Sequence, residues 1–439
     1  MKSSPIPGKA RLALILGGLS AFGPLSIDMY LPAFPAMAEQ LGTGQAKIQI
    51  TLTAFMIGLA GGQIIAGPLS DAYGRRRPLL IGLALYTLSS LACAVAPSVV
   101  ALVFLRLGQG VSAAAGIVIA RAAVRDMFSG AALARFFSLM LLVNGLGPIL
   151  GPIIGGQVLR FTQWPGIFIV LAGFGVVLFL VTALALPETL APLGRRPARL
   201  GHVLRTYRRI GTDRSFIAYA AAAGFVMGAM FAYIAGSSFV LQELHGLSPQ
   251  AYSFLFGANA VGIVVMAQVN GLLLRRFAPR RLLIVGLLTS VTGGLAVLAA
   301  TYLNLGLLYL LPGLFVVVAS VGIVTPNSTA LAMADHGHRA GTASALLGLV
   351  QFVIGGLAAP LVGFGNPSTA LPMGVVIATL SVLGLASFAL TRPTKNRPGR
   401  YQTLRDADTQ PIPGLPIPDI ARHEGDLWDA PTADSVRFR

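Results

Sequence analysis

Charge is what this chain has least of. Asp, Glu, Lys and Arg make up 11% of its 439 residues, against roughly 25% in a soluble domain. Hydrophobic residues make up 55%, and the mean hydropathy is +0.77. There is too little polar surface to cover a globule in water, so the composition reads as a polytopic membrane protein. Cysteine is nearly absent: Cys93 stands alone, which excludes an internal disulfide and a cysteine-based metal site. The histidines, at 202, 245, 336, 338 and 423, fall outside the apolar runs and do not pair across a helical turn, so no metal site is read. Lysine occurs only four times, and Gly8-Lys9 is followed by Ala10. No G-x-x-x-x-G-K-[ST] phosphate loop is present, and no loop is long enough for an ATPase domain. No nucleophile–base constellation appears either, so the chain does not read as an enzyme, and no cofactor is expected.

Twelve apolar segments are long enough to cross a bilayer, which takes about 20 residues each. They are 11–36, 48–69, 78–96, 98–122, 132–159, 164–187, 215–240, 250–274, 282–302, 305–331, 340–364 and 369–391. They do not alternate in polarity as barrel strands would, so they read as helices. The first run is longer than a signal-peptide core and reads as a retained span. With the N-terminus placed in the cytoplasm, 29 of the 32 basic residues fall on the cytoplasmic side, Lys47 and Arg160 fall outside, and Arg106 is left within a span. That asymmetry orients the chain by the positive-inside rule, with both termini cytoplasmic. It also accounts for the net charge of +17 without a nucleic-acid partner; the expected surroundings are the lipid bilayer.

The longest internal loop divides the chain into an N-terminal six-helix half (1–187), a basic cytoplasmic linker (188–214), a C-terminal half (215–391) and a Pro-rich tail (392–439) read as disordered. "GPLSDAYGRRRPLLIG" from Gly67 aligns without gaps on "GLLLRRFAPRRLLIVG" from Gly271, with coincidences at Leu79/Leu283 and Gly82/Gly286 among others. Duplicated six-span halves are a transporter architecture with the site at mid-membrane between them.

Of the fifteen acids, only Asp28 lies deep in a span. A carboxylate there costs about 2.5–3.5 kcal/mol on insertion scales and marks a functional site by default. Arg106, in the fourth span, is the only base at depth. Each lies eight residues from its outer boundary, about 12 Å down at 1.5 Å per residue, so the two are expected to pair. Pro32 lacks the N–H that the Asp28 carbonyl needs, and Pro24 does the same to Ser20, so the helix is expected to break around the acid. "NGLGPILGPIIGG" from Asn144 puts Gly147, Gly151 and Gly155 on one face, which admits close approach of another helix. "GPLSDAYGRRRP" from Gly67 offers turn glycines, an acid and a basic cluster in a cytoplasmic loop.

Gly67-x-x-x-Asp71-x-x-Gly74-Arg75-Arg76 resembles the loop signature of the major facilitator superfamily. Gly147-x-x-x-Gly151-Pro152-x-x-Gly155-Gly156 is similar to the fifth-helix signature of its drug:proton antiporters, and "LRLGQGVSAAAG" from Leu105 to the fourth-helix signature. "SIDMYLPAFP", "LPETLAP", "PNSTALAM" and "AGTASALLGLVQF" resemble the bicyclomycin-resistance and chloramphenicol/florfenicol exporters. The resemblance covers roughly residues 10–392. It implies an all-α fold of twelve membrane helices in two pseudo-symmetric halves, in a bacterial inner membrane, exporting small drug-like compounds against protons. It makes Asp28 the proton-exchanging group with Arg106 as partner, and Asp71, Arg75 and Arg76 a conformational latch with Asp126. Drug would sit among Asp28, Tyr30, Arg106, Gln109, Asn144, Tyr233, Asn259 and Gln351, and a monomer is expected. Two positions depart from the pattern: Ala72 stands where the loop usually has a base, and Ser20 where some relatives carry a second acid. A transporter of a metabolite or amino acid, or a membrane sensor that moves nothing, is the alternative.

Overall fold

The computed structural model describes residues 9–128, 130–190, 209–334, 340–364 and 368–390. The expected tail (392–439) and most of the expected linker (191–208) lie outside the described residues.

The described chain is helical, and its helices follow the apolar runs. The first run is broken into α1 (Lys9–Ser20), α2 (Phe22–Asp28), a single 3-10 turn (Leu31–Ala33) and α3 (Phe34–Gln40). Then come α4 (Gln45–Tyr73), α5 (Arg76–Ala94), α6 (Val99–Met127), α7 (Gly130–Val158) and α8 (Pro165–Ala185). The second group is α9 (Arg214–Phe239), α10 (Pro249–Leu273), α11 (Pro279–Tyr302), α12 (Leu307–Met333), α13 (Ala340–Gly363) and α14 (Leu371–Ala389). A π-helical turn, Val240–Leu244, continues α9. Among the described residues, ten helices are long and apolar enough to cross a membrane; the broken first run and α7 complete the twelve spans read from the sequence. Starts are set locally. Ser98, Asp213 and Ser248 each accept a hydrogen bond from a first-turn N–H of α6, α9 and α10 respectively. Large apolar side chains also cover the outside, as at Leu184, Leu308 and Phe104, which suits lipid rather than water.

Within each group the helices approach through small residues. Gly58 and Gly62 of α4 lie against α6; a β-carbon at Gly58 would strike the carbonyl oxygen of Leu107, and one at Gly110 the carbonyl oxygen of Phe55. Backbone therefore lies directly on backbone, the small-xxx-small contact of membrane helices. The sequence repeat has a structural counterpart. Leu79 and Leu283 are both fully buried. Gly82 admits Ala115 of α6, and Gly286 admits Ile323 and Val324 of α12. Equivalent helices of the two groups thus use equivalent glycines for the same neighbour. The groups meet along two related seams, α4 on α13 and α7 on α10.

Replacing Gly58 by Val is expected to lower stability in detergent by about 1–3 kcal/mol, the usual cost of overpacking. Gly108→Ala, where a β-carbon meets nothing within 4 Å, is expected to be neutral or slightly stabilising. A thermal unfolding comparison of the two checks the contact.

Candidate functional site

The prolines do to the first span what their chemistry requires. α2 ends at Asp28 itself, and the chain passes through Met29 and Tyr30 into the 3-10 turn before resuming as α3. The break has a seat. A β-carbon at Gly147 would overlap the Pro24 ring, one at Gly151 would lie 2.9 Å from the Asp28 β-carbon, and one at Gly155 would overlap the Met29 carbonyl. The glycine face of α7 is therefore the surface on which the Asp28 segment rests. Gly156, one position around, admits Ser253 of α10. So α7 lies between the broken segment and the opposite group of helices.

A cavity of about 850 Å³ runs between the two groups, and Asp28 is in its wall. Tyr233, Phe256, Met230 and Gln351 face the same space from the second group. Toward the end that carries the α4–α5 turn, the lining includes Asp71, Arg75, Arg121 and Arg125. This is termed the basic end, and the opposite one the far end. The Tyr233 ring stacks on Phe256 with centroids 5.4 Å apart, and its hydroxyl accepts a hydrogen bond from Asn259 Nδ2 at 2.9 Å. Asn259 thereby holds a wall residue. Gln351 is nine-tenths buried, with its Nε2 unpartnered. The Asn144 side chain lies outside the described residues.

The expected Asp28–Arg106 ion pair is not formed. Among the described residues the only ion pairs are those of Arg75. Arg106 is fully buried. Its Nη1 donates to Gln109 Oε1 at 2.6 Å and its Nη2 to the Ser26 carbonyl at 2.9 Å. Its guanidinium carbon sits 4.3 Å from the ring centroids of both Tyr30 and Phe55, a cation–π enclosure. Gln109 in turn donates to Ser90, and the Tyr30 hydroxyl lies 3.5 Å from Thr51 Oγ1. Arg106 thus grips α2 by its backbone, two residues before the acid, rather than by the carboxylate. Tyr30, Arg106 and Gln109 do not line the cavity here, which corrects their placement as a drug-contacting set. Asp28, Tyr233 and Gln351 do line it.

The basic loop forms a charged clasp inside the first group. Gly74, at φ +88°, turns the chain in a conformation that favours glycine. Arg75, 4% exposed, donates through Nε to Asp126 at 2.8 Å, and through Nη1 to Asp71 at 2.5 Å and Ser70 at 2.7 Å. Burial by itself would lower the pKa of this guanidinium; its hydrogen bonds to the Asp126 and Asp71 carboxylates outweigh it and hold the group above its ordinary value. Arg76 Nη2 donates to the Ala183 carbonyl. Sequence reasoning missed Glu188. Its carboxylate accepts the backbone N–H of Arg75 at 2.8 Å and of Arg76 at 3.2 Å, closing the α5 start from the end of α8. The signal was available: Glu188 is the acid of "LPETLAP", next to a span end and facing a basic loop.

Asp126→Asn, which removes a charged acceptor from a buried guanidinium, is expected to cost about 1.5–3 kcal/mol. Glu188→Ala, which uncaps α5, is expected to cost about 0.5–2 kcal/mol. Thermal unfolding in detergent, with Asp71→Asn as a more exposed comparison, checks the order.

Residues 16–360 match the Major Facilitator Superfamily. The chain is 42% identical over 390 residues to an uncharacterized MFS-type transporter, YdgK, of Bacillus subtilis (strain 168), covering 88% of this chain and 97% of that one. It is 30% identical over 386 residues to a bicyclomycin resistance protein homolog of Haemophilus influenzae, with coverage of 88% and 97%. Among solved structures, a bacterial homolog of the human lysosomal transporter Spinster, inward-facing and occupied, superposes with a TM-score of 0.70 at 17% identity, covering 89% of this chain and 97% of the other. With the profile match spanning most of its length and the fold agreeing, this chain belongs to the Major Facilitator Superfamily.

Proposed function

We propose that the chain is a drug:proton antiporter that exports small amphipathic compounds by alternating access, with its basic end in the cytoplasm. One observation carries the reading: a carboxylate set within the first span, Asp28, stands in the wall of a cavity of about 850 Å³ between the two helix groups, on a segment whose backbone is broken beside it. The bicyclomycin resistance relative adds the substrate class. The cavity wall suits it, since Met230, Phe256 and the Tyr233 ring offer apolar and aromatic surface, while the arginines of the lining gather toward the basic end. Such a wall accepts varied amphipaths.

In this reading Asp28 binds either a proton or the polar end of a drug. Loaded from the basic end, drug displaces the proton. After the groups rock, protonation of Asp28 from the far side releases the drug. Arg106 is a positioning residue, holding α2 through the Ser26 carbonyl so that protonation at Asp28 acts on a fixed segment. The Arg75 clasp with Asp71 and Asp126 keeps the basic loop as one body while the groups move, with Arg76 and Gly67 in the same latch. The proton gradient is the energy source in this scheme.

Asp28→Asn is expected to fold and to lose uphill transport driven by a pH gradient in proteoliposomes, falling to the rate of protein-free vesicles, while downhill drug equilibration persists. Asp28→Glu is expected to restore part of the coupled flux. Undiminished uphill export by the Asn variant would remove Asp28 from the coupling step.

A further inference from the structure

Four hydrogen bonds tie the two helix groups together near the far end. Gln49 Nε2 donates to the Ala235 carbonyl at 3.0 Å, and Thr53 Oγ1 to that of Gly356 at 2.7 Å. Ser238 Oγ donates to the Leu31 carbonyl at 2.6 Å, and Gln250 Nε2 to that of Gly156 at 2.8 Å. In each case a neutral side chain donates and a backbone carbonyl of the other group accepts. Among the described residues, no ion pair crosses between the groups.

The acceptors share a property. A helical carbonyl is normally taken by the N–H four residues later. For Leu31 that residue is Pro35, and for Gly356 it is Pro360; neither has an N–H to give. For Gly156 it is Arg160, whose N–H bonds Gln157 instead. Leu31 also accepts the Phe34 N–H within its tight turn, and Ser238 takes the remaining lone pair. Two of the four cross-links therefore land on carbonyls whose i+4 N–H is missing or turned elsewhere, and a third lands on the Leu31 carbonyl, which keeps only its tight-turn bond. α13 comes close enough for this because Gly363 has no side chain: a β-carbon there would reach Ala46 and overlap the Gln49 amide oxygen.

We infer that Thr53 and Ser238 are gating residues: the carbonyls vacated by Pro360 and Pro35 are docking points for the opposite group, and these bonds set the balance between the state closed at the far end and the state open there. The inference rests on the alternating-access reading above. The physics suits a reversible gate. A vacated carbonyl cannot face lipid, but when the far end opens it faces a wet cleft, and water replaces the lost hydroxyl. Each bond is then worth only the modest net difference between two satisfied states. Leu31 is three residues beyond Asp28, so one docking point lies on the same broken segment as the coupling carboxylate.

The test uses spin labels at Glu39 and His245, both exposed near the far end, in a Cys93→Ser background in lipid nanodiscs. Their distance distribution is read by double electron–electron resonance, with neither drug nor gradient present. Thr53→Val and Ser238→Ala are each expected to raise the ratio of long to short distances about fivefold, the change that one hydrogen bond of ordinary net strength makes. Thr53→Ser keeps the hydroxyl and is expected to match wild type. Pro360→Ala returns an N–H to Gly356 and is expected to shift the distribution as Thr53→Val does, with the double variant shifting no further. Unchanged distributions in Thr53→Val and Ser238→Ala, or additive shifts from Thr53→Val and Pro360→Ala, overturn the inference. Because the readout needs no flux, a gate that fails this test leaves the export proposal standing, and a protein that exports nothing still reports on its gate.

Discussion

A backbone carbonyl without a donor cannot be left facing hydrocarbon, and this chain creates such carbonyls repeatedly. Pro24 and Pro32 interrupt the first span on both sides of Asp28, Pro148 and Pro152 lie inside α7, and Pro360 lies inside α13. Each vacancy has to be met by protein or by water. The broken first span survives because the glycine face of α7 lets it come to rest backbone against side-chain-free surface. The antiporter-like glycine motif and the proline-flanked acid are thus two halves of one contact.

Three charged groups show three ways of keeping charge in the interior. Arg75 is surrounded by carboxylates and a hydroxyl within its own group of helices. Arg106 has no carboxylate; it is held by an amide oxygen, a backbone carbonyl and two aromatic faces, with its Nε left unpartnered. Asp28 has neither arrangement and instead borders a cavity. The first two are fixed by their partners. The third is open to exchange its partner, which is what the proposed coupling step asks of it.

The two ends of the molecule are built on different principles. At the basic end the strong, charged contacts stay inside the first group and make it a rigid body. At the far end the contacts between groups are neutral and single. Strong bonds within bodies and weak bonds between them suit a machine whose halves move against each other.

The spans, the break at Asp28, the glycine face and the duplicated halves were legible in the residues, because each follows from local chemistry: apolar length, a missing N–H, a missing β-carbon, a repeated pattern. Depth was legible too, by counting 1.5 Å per residue. Azimuth was not. Asp28 and Arg106 share a depth, yet one faces the cavity and the other turns behind α2 into a cage of rings; Tyr30 and Gln109 went with the arginine, and Glu188 found the α5 N-terminus from just past the neighbouring α8. Which way a helix is rotated depends on every neighbour it packs against, so the sequence determined what each segment is and how deep it lies, and only the tertiary structure decided what each side chain faces.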